Sequence, residues 1–103
     1  MTPTERQQHA KDSINEALEL FHRRWMLRVI WELREGASTF RALQARCGDI
    51  SPTVLNQRLA ELRGAGLVET DEGGYRLTAL GRDMVEAFAP LSKWAVRWWK
   101  TQL

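Results

Sequence analysis

The most constraining feature of the chain lies at its middle. Two short apolar stripes, Phe40, Leu43 and Cys47 and then Leu55, Leu59 and Leu62, recur at three- or four-residue spacing and are separated by Gly48-Asp49-Ile50. Such spacing puts each set on one face of a helix. The second helix opens at Ser51-Pro52: the serine hydroxyl accepts a bond from the first turn, and proline at the first helical position has no N–H to lose. So tight a connection makes both helices share one core at a steep angle.

The flanking segments extend this unit. Ser13 with Glu16 three residues on reads as a capping box that starts a first helix, with Ile14, Ala17, Leu18 and Phe21 on one stripe. Met26, Val29, Ile30 and Leu33 form a second helix that closes at Gly36, with Trp25 and Trp31 outside its stripe. Ser38 or Thr39 caps the third, and Gly64 with Gly66 ends the fourth. Leu67 to Thr70 and Tyr75 to Thr78 then read as two strands around a four-residue turn, Asp71-Glu72-Gly73-Gly74. From Ala79 a last helix carries Met84, Phe88, Leu91, Ala95 and Trp98 along one seam, with a kink or break expected near Glu86 to Phe88 because of Pro90. The fold class is mainly α with a small β-hairpin, a winged helix-turn-helix: residues 1–12 form a polar N-terminal segment and residues 13–103 the domain.

Composition narrows the function. At 103 residues the chain has the length of one domain, and no apolar run approaches the roughly 20 residues of a membrane span. With no secretion signal and a single cysteine, Cys47, the expectation is a cytoplasmic protein. His9, His22 and Cys47 lack ligand spacing, so neither a metal nor another cofactor is expected. No serine or cysteine has a base partner, which argues against an enzyme. Net charge is only +2, but it is unevenly spread. Leu20 to Gly66 holds eight arginines against four acids, and Glu69 to Glu86 holds five acids against two arginines. A basic face suited to phosphates is one reading of this, an ordinary solvated surface the other.

Opposite its leucines, the fourth helix presents Thr53, Asn56, Gln57 and Ala60. Asn and Gln suit bidentate contacts to adenine in a major groove, and Ser51 and Pro52 at the helix N-terminus lie where a phosphate would be held. Arg58 either reaches a phosphate or pairs with Glu61. Arg24, Arg41 and Arg63 are candidate backbone contacts, and Arg76 is the basic residue of the wing.

From Ser13 to about Trp94 the chain resembles the HxlR family of bacterial winged-helix transcription regulators, akin to MarR-type regulators. The resemblance rests on Ala17-Leu18, Trp25, Leu33 and Phe40-Arg41-Ala42-Leu43. It is strongest from Asp49-Ile50-Ser51-Pro52 through Asn56-Gln57-Arg58-Leu59 to Gly66-Leu67-Val68, and Tyr75, Leu77-Thr78, Gly81 and Trp94 complete it. It implies a sequence-specific, DNA-binding transcriptional repressor, a homodimer joined through its first and last helices. Phe21, Trp25, Phe88, Leu91, Trp94, Trp98 and Trp99 are the expected interface, or alternatively a cleft for a small aromatic effector. Where the family carries basic residues this chain has Thr39, Thr53 and Ala60, and its short wing ends in Asp71 and Glu72. Those losses weaken backbone binding and argue against minor-groove insertion. The family's redox cysteine has no counterpart in Lys11-Asp12-Ser13, and Cys47 reads as a small core residue. The alternative function is a winged-helix scaffold with weakened DNA binding that binds, or acts on, a planar apolar molecule in a Trp-lined dimer cleft.

Overall fold

A computed structural model describes residues 1–103. Its helix α1 (Pro3–Phe21) starts well before Ser13. Thr2 accepts a bond from the Glu5 N–H at 3.1 Å while its own N–H donates to Glu5 Oε2 at 2.9 Å, and Pro3 follows the cap. The sequence holds two capping-box patterns in tandem, and the first one caps the helix. Ser13 is an interior residue whose hydroxyl donates to the His9 carbonyl at 2.7 Å.

The chain breaks at His22 to Trp25 before α2 (Met26–Glu32), and Trp25 takes the left-handed conformation at φ 79°. It is the one non-glycine residue to do so, a conformation that disfavours a bulky side chain. Thr39 caps α3 (Phe40–Arg46) through the Ala42 N–H at 3.1 Å, and Ser51 caps α4 (Pro52–Gly64) through that of Val54 at 3.1 Å. Between them Gly48 turns the chain at φ 77°.

Strands β1 (Val68–Asp71) and β2 (Gly74–Leu77) pair antiparallel, with Asp71 opposite Gly74. The turn is therefore Glu72-Gly73, two residues where four were expected. On its other edge β2 is met by Ser38, whose N–H and C=O exchange 2.8 Å bonds with Tyr75. That bridge is the reason for a glycine at 74, since a Cβ there would run into the Ser38 carbonyl.

Thr78 caps α5 (Ala79–Thr101), which runs unbroken through Pro90. The expected split does not occur. The core joins Met26, Val29, Ile30 and Leu33 to Leu43, Cys47 and Ile50, to Leu55, Leu59 and Leu62, and to Leu67, Val68 and Leu77 under the hairpin. Nothing on α1 is buried, and on α5 Gly81 alone is.

Candidate nucleic-acid interface

Leu55, Leu59 and Leu62 lock one side of α4 into the core, and the opposite side is thereby held out to solvent. Thr53, Asn56, Gln57 and Ala60 are all exposed on it. The side-chain hydrogen bonds along this helix belong to Ser51, Arg58 and Glu61, which leaves both amides uncommitted. Ser51 spends an oxygen lone pair on its cap and keeps its O–H for a further acceptor. Pro52 is exposed beside it.

The basic residues divide into two groups. Arg24, Arg41 and Arg63 are exposed and take part in none of the chain's salt bridges. The guanidinium of Arg24 lies 5.2 Å from the centre of the Trp25 ring. Arg58 and Arg76, by contrast, are consumed by the fold. Arg58 bonds Glu61 at 2.9 Å and the Arg24 carbonyl at 2.8 Å, with its side chain only 17% exposed. Of its two expected roles, the ion pair is the one the structure contains. Arg76 bridges Glu69 at 2.9 Å and Asp71 at 2.8 Å, so the wing offers no unpaired cation and its surface is acidic.

Arg23 was not singled out from sequence, yet it sits 2.7 Å from Glu61 Oε2, an ion-pair contact outside hydrogen-bond alignment. Glu61 thus holds α4 to the α1–α2 joint through two arginines. The three-residue spacing signals its contact with Arg58, and nothing local signals the one with Arg23.

The expected tryptophan-lined cleft is not what one chain forms. An open groove of about 890 Å³ runs between α1 and α5, walled by Ala17, Leu20, Phe21, Leu67, Leu80, Met84 and Ala87, with Ser13, Glu16 and Asp83 at its polar positions. Of the expected interface or cleft residues, Phe21 alone lines it. Trp25 packs on the core, and Phe88 meets Trp31 edge-on at 5.3 Å within the chain. Leu91, Trp94, Trp98 and Trp99 stand exposed beyond the groove, Trp94 and Trp98 stacked at 5.9 Å. Cys47 is 3% exposed, and burial, helped by the charge of Glu32, pushes its thiol above the ordinary value of 9.0 against an opposing pull from Arg28 and Arg46. A thiol so held is a poor nucleophile. No helix is long and apolar enough to cross a membrane.

Comparison with known proteins agrees with this arrangement. Residues 20–103 match the model of the HxlR-like helix-turn-helix family. The helix-turn-helix transcriptional regulator YvaP of Bacillus subtilis is 29% identical over 90 residues, covering 81% of this chain and 83% of its own. A regulator of Mycobacterium tuberculosis, Rv3095, is 34% identical over 90 residues, which span 56% of its length. Among solved structures, quinone-bound YodB from B. subtilis superposes with a TM-score of 0.78 at 28% identity, over 84% of this chain and 98% of that one. The transcriptional repressor BigR from Xylella fastidiosa follows at 0.74 and 27%, over 85% and 91%. The winged helix-turn-helix with its small hairpin, the α4 surface and these relatives lead to one assignment: the chain belongs to the HxlR-like helix-turn-helix family, and it is a transcriptional regulator rather than an enzyme.

Proposed function

We propose that the chain acts as a homodimer that reads operator DNA with α4 and represses by occupying a promoter. The observation that carries this reading is the outer face of α4, where Asn56 and Gln57 are exposed and uncommitted on a helix fixed by its leucines. Amides so placed match the donor and acceptor pattern of adenine. Ser51, Pro52 and Thr53 lie at the phosphate-facing helix start, and Arg24, Arg41 and Arg63 supply backbone charge. Arg58 positions α4 instead of touching DNA, and Arg76 serves the wing. The apolar faces of α1 and α5 pair with the same faces of a second copy, which sets two copies of α4 about 34 Å apart over a palindromic site. A cytoplasmic location follows from this role.

A second reading, an apolar effector in the α1–α5 groove, is favoured by the groove's lining and by the quinone bound to the similar YodB. The test is titration of the protein against DNA from upstream of its own gene and a scrambled duplex at several salt concentrations. The upstream duplex binds more tightly, both weaken as salt rises, and Asn56→Ala with Gln57→Ala removes the preference while leaving effector binding intact. Equal, weak binding of both duplexes by the parent protein would overturn the reading.

A further inference from the structure

A second cavity, about 130 Å³, lies at the base of the hairpin beside Ala37, apart from the apolar groove. Three arginines from three separate segments line it: Arg34 after α2, Arg76 in β2 and Arg82 in the first turns of α5, over a floor that includes Leu33 and Leu77. No carboxylate is among the lining residues. Like charges repel, so gathering three guanidinium groups around one small space is unfavourable unless each is neutralised or something anionic enters.

Only one of the three is closely paired with acids. Arg76 is met by Glu69 and Asp71. Arg34 donates to the Trp31 carbonyl at 2.9 Å and lies 4.2 Å from the Trp31 ring centre, and its one acidic neighbour, Glu35, stands 3.9 Å away and 83% exposed. Arg82 donates to the Leu77 carbonyl at 3.1 Å and forms no salt bridge. A backbone carbonyl orients a guanidinium without cancelling its charge, and each group still has unused N–H donors in a fixed fork. The volume equals that of about four waters in the liquid, enough for a tetrahedral oxyanion and a water.

We propose that this cavity binds a phosphate or sulfate group, held by Arg34 and Arg82 with Arg76 at its side. The same chemistry is offered by a free oxyanion or by one phosphate of a DNA backbone, and the site does not depend on base reading by α4.

The experiment is a titration with sodium phosphate at ionic strength held constant with sodium chloride, followed by tryptophan fluorescence, for which Trp31 beneath Arg34 is the reporter. The parent protein gives a saturable change, and Arg34→Gln and Arg82→Gln each lose roughly tenfold in phosphate affinity, as expected for a lost charge-assisted contact. Phosphate also stabilises proteins by exclusion from their surface, a response that does not saturate and is the same in parent and variants. A second arm measures the salt dependence of DNA binding. A slope lowered by about one in either variant assigns the bound group to the DNA backbone, and an unchanged slope with lost phosphate binding assigns it to a free anion. Circular dichroism checks folding, and Arg82→Lys, which keeps the charge without the fork, gives an intermediate loss if the glutamine variant does not fold. Folded variants that match the parent in both arms would overturn the site.

Discussion

The two longest helices contribute least to the core, and seven-residue α2 contributes as many buried residues as α4 does at nearly twice the length. In α2, seven residues bury Met26, Val29 and Ile30; in α1, nineteen residues bury none, and in α5 twenty-three bury only Gly81. Ile14 and Leu18 on α1 and Leu80, Leu91, Trp94, Val96, Trp98 and Trp99 on α5 are exposed. Helices gain most of their stability by burying an apolar face against something, and exposed apolar surface on this scale marks an interaction site. The molecule thus has a closed centre of α2 to α4 with the hairpin, and an open frame of α1 and α5 whose apolar faces are exposed.

The largest effect that tests this contrast is on folding. Leu55→Ala empties a fully buried position and costs about 2–5 kcal/mol in chemical denaturation. Leu18→Ala removes the same atoms from a residue 61% exposed and shifts the stability of the separated monomer by only about 0.5 kcal/mol. Similar losses at the two sites would erase the distinction between centre and frame.

Next comes assembly. Leu18→Asp with Leu91→Asp places charge on the apolar faces of α1 and α5, and sedimentation then reports a monomer with an unchanged circular dichroism spectrum. Operator affinity falls roughly 10²-fold, because the two half-sites are no longer bound by one linked pair. A double variant that stays dimeric would show that the frame's apolar faces serve something other than self-association.

The centre was also the more legible region in the sequence. Thr39, Ser51 and the leucines of α4 act through neighbours three or four residues away, so caps and apolar faces can be read from local spacing alone. The start of α1 was missed because Ser13 and Glu16 repeat the pattern of Thr2 and Glu5, and local chemistry alone does not rank two equivalent boxes. Of the kink or break that Pro90 predicts, the break is absent, since α5 continues through it. The arginines were least legible of all. Arg58 reaches a carbonyl 34 residues away, Arg76 meets an acid across the hairpin, and Arg34 joins Arg82 only once the hairpin has closed.

Glu61 links frame and centre, and its substitution has a smaller effect. Glu61→Gln keeps the shape but loosens its holds on Arg58 and Arg23, at a cost of about 1–3 kcal/mol in stability, the Arg23 share discounted because that side chain is 52% exposed. Since Glu61 bears no charge attracted to phosphate, its loss changes operator preference by tilting α4 and leaves the salt slope of DNA binding unchanged. A steeper slope would mean that Arg58, freed from Glu61, contacts the backbone directly.

The smallest effect is at Cys47, inside the centre. Burial, then the charge of Glu32, raises its thiol above the ordinary 9.0, so the folded protein holds the proton at a pH where the unfolded chain has lost it. Below 9.0 both states are protonated and the thiol adds no pH dependence; as pH climbs beyond it, ionisation favours the unfolded chain and stability declines. Cys47→Ser therefore flattens the alkaline limb of the stability profile. Alkylation of the parent by iodoacetamide at neutral pH proceeds at the rate of local opening, far slower than for a free thiol. Rapid alkylation in the folded state would mean that the centre opens at α3, and the contrast with the exposed faces of α1 and α5 would then rest on α2 and α4 alone.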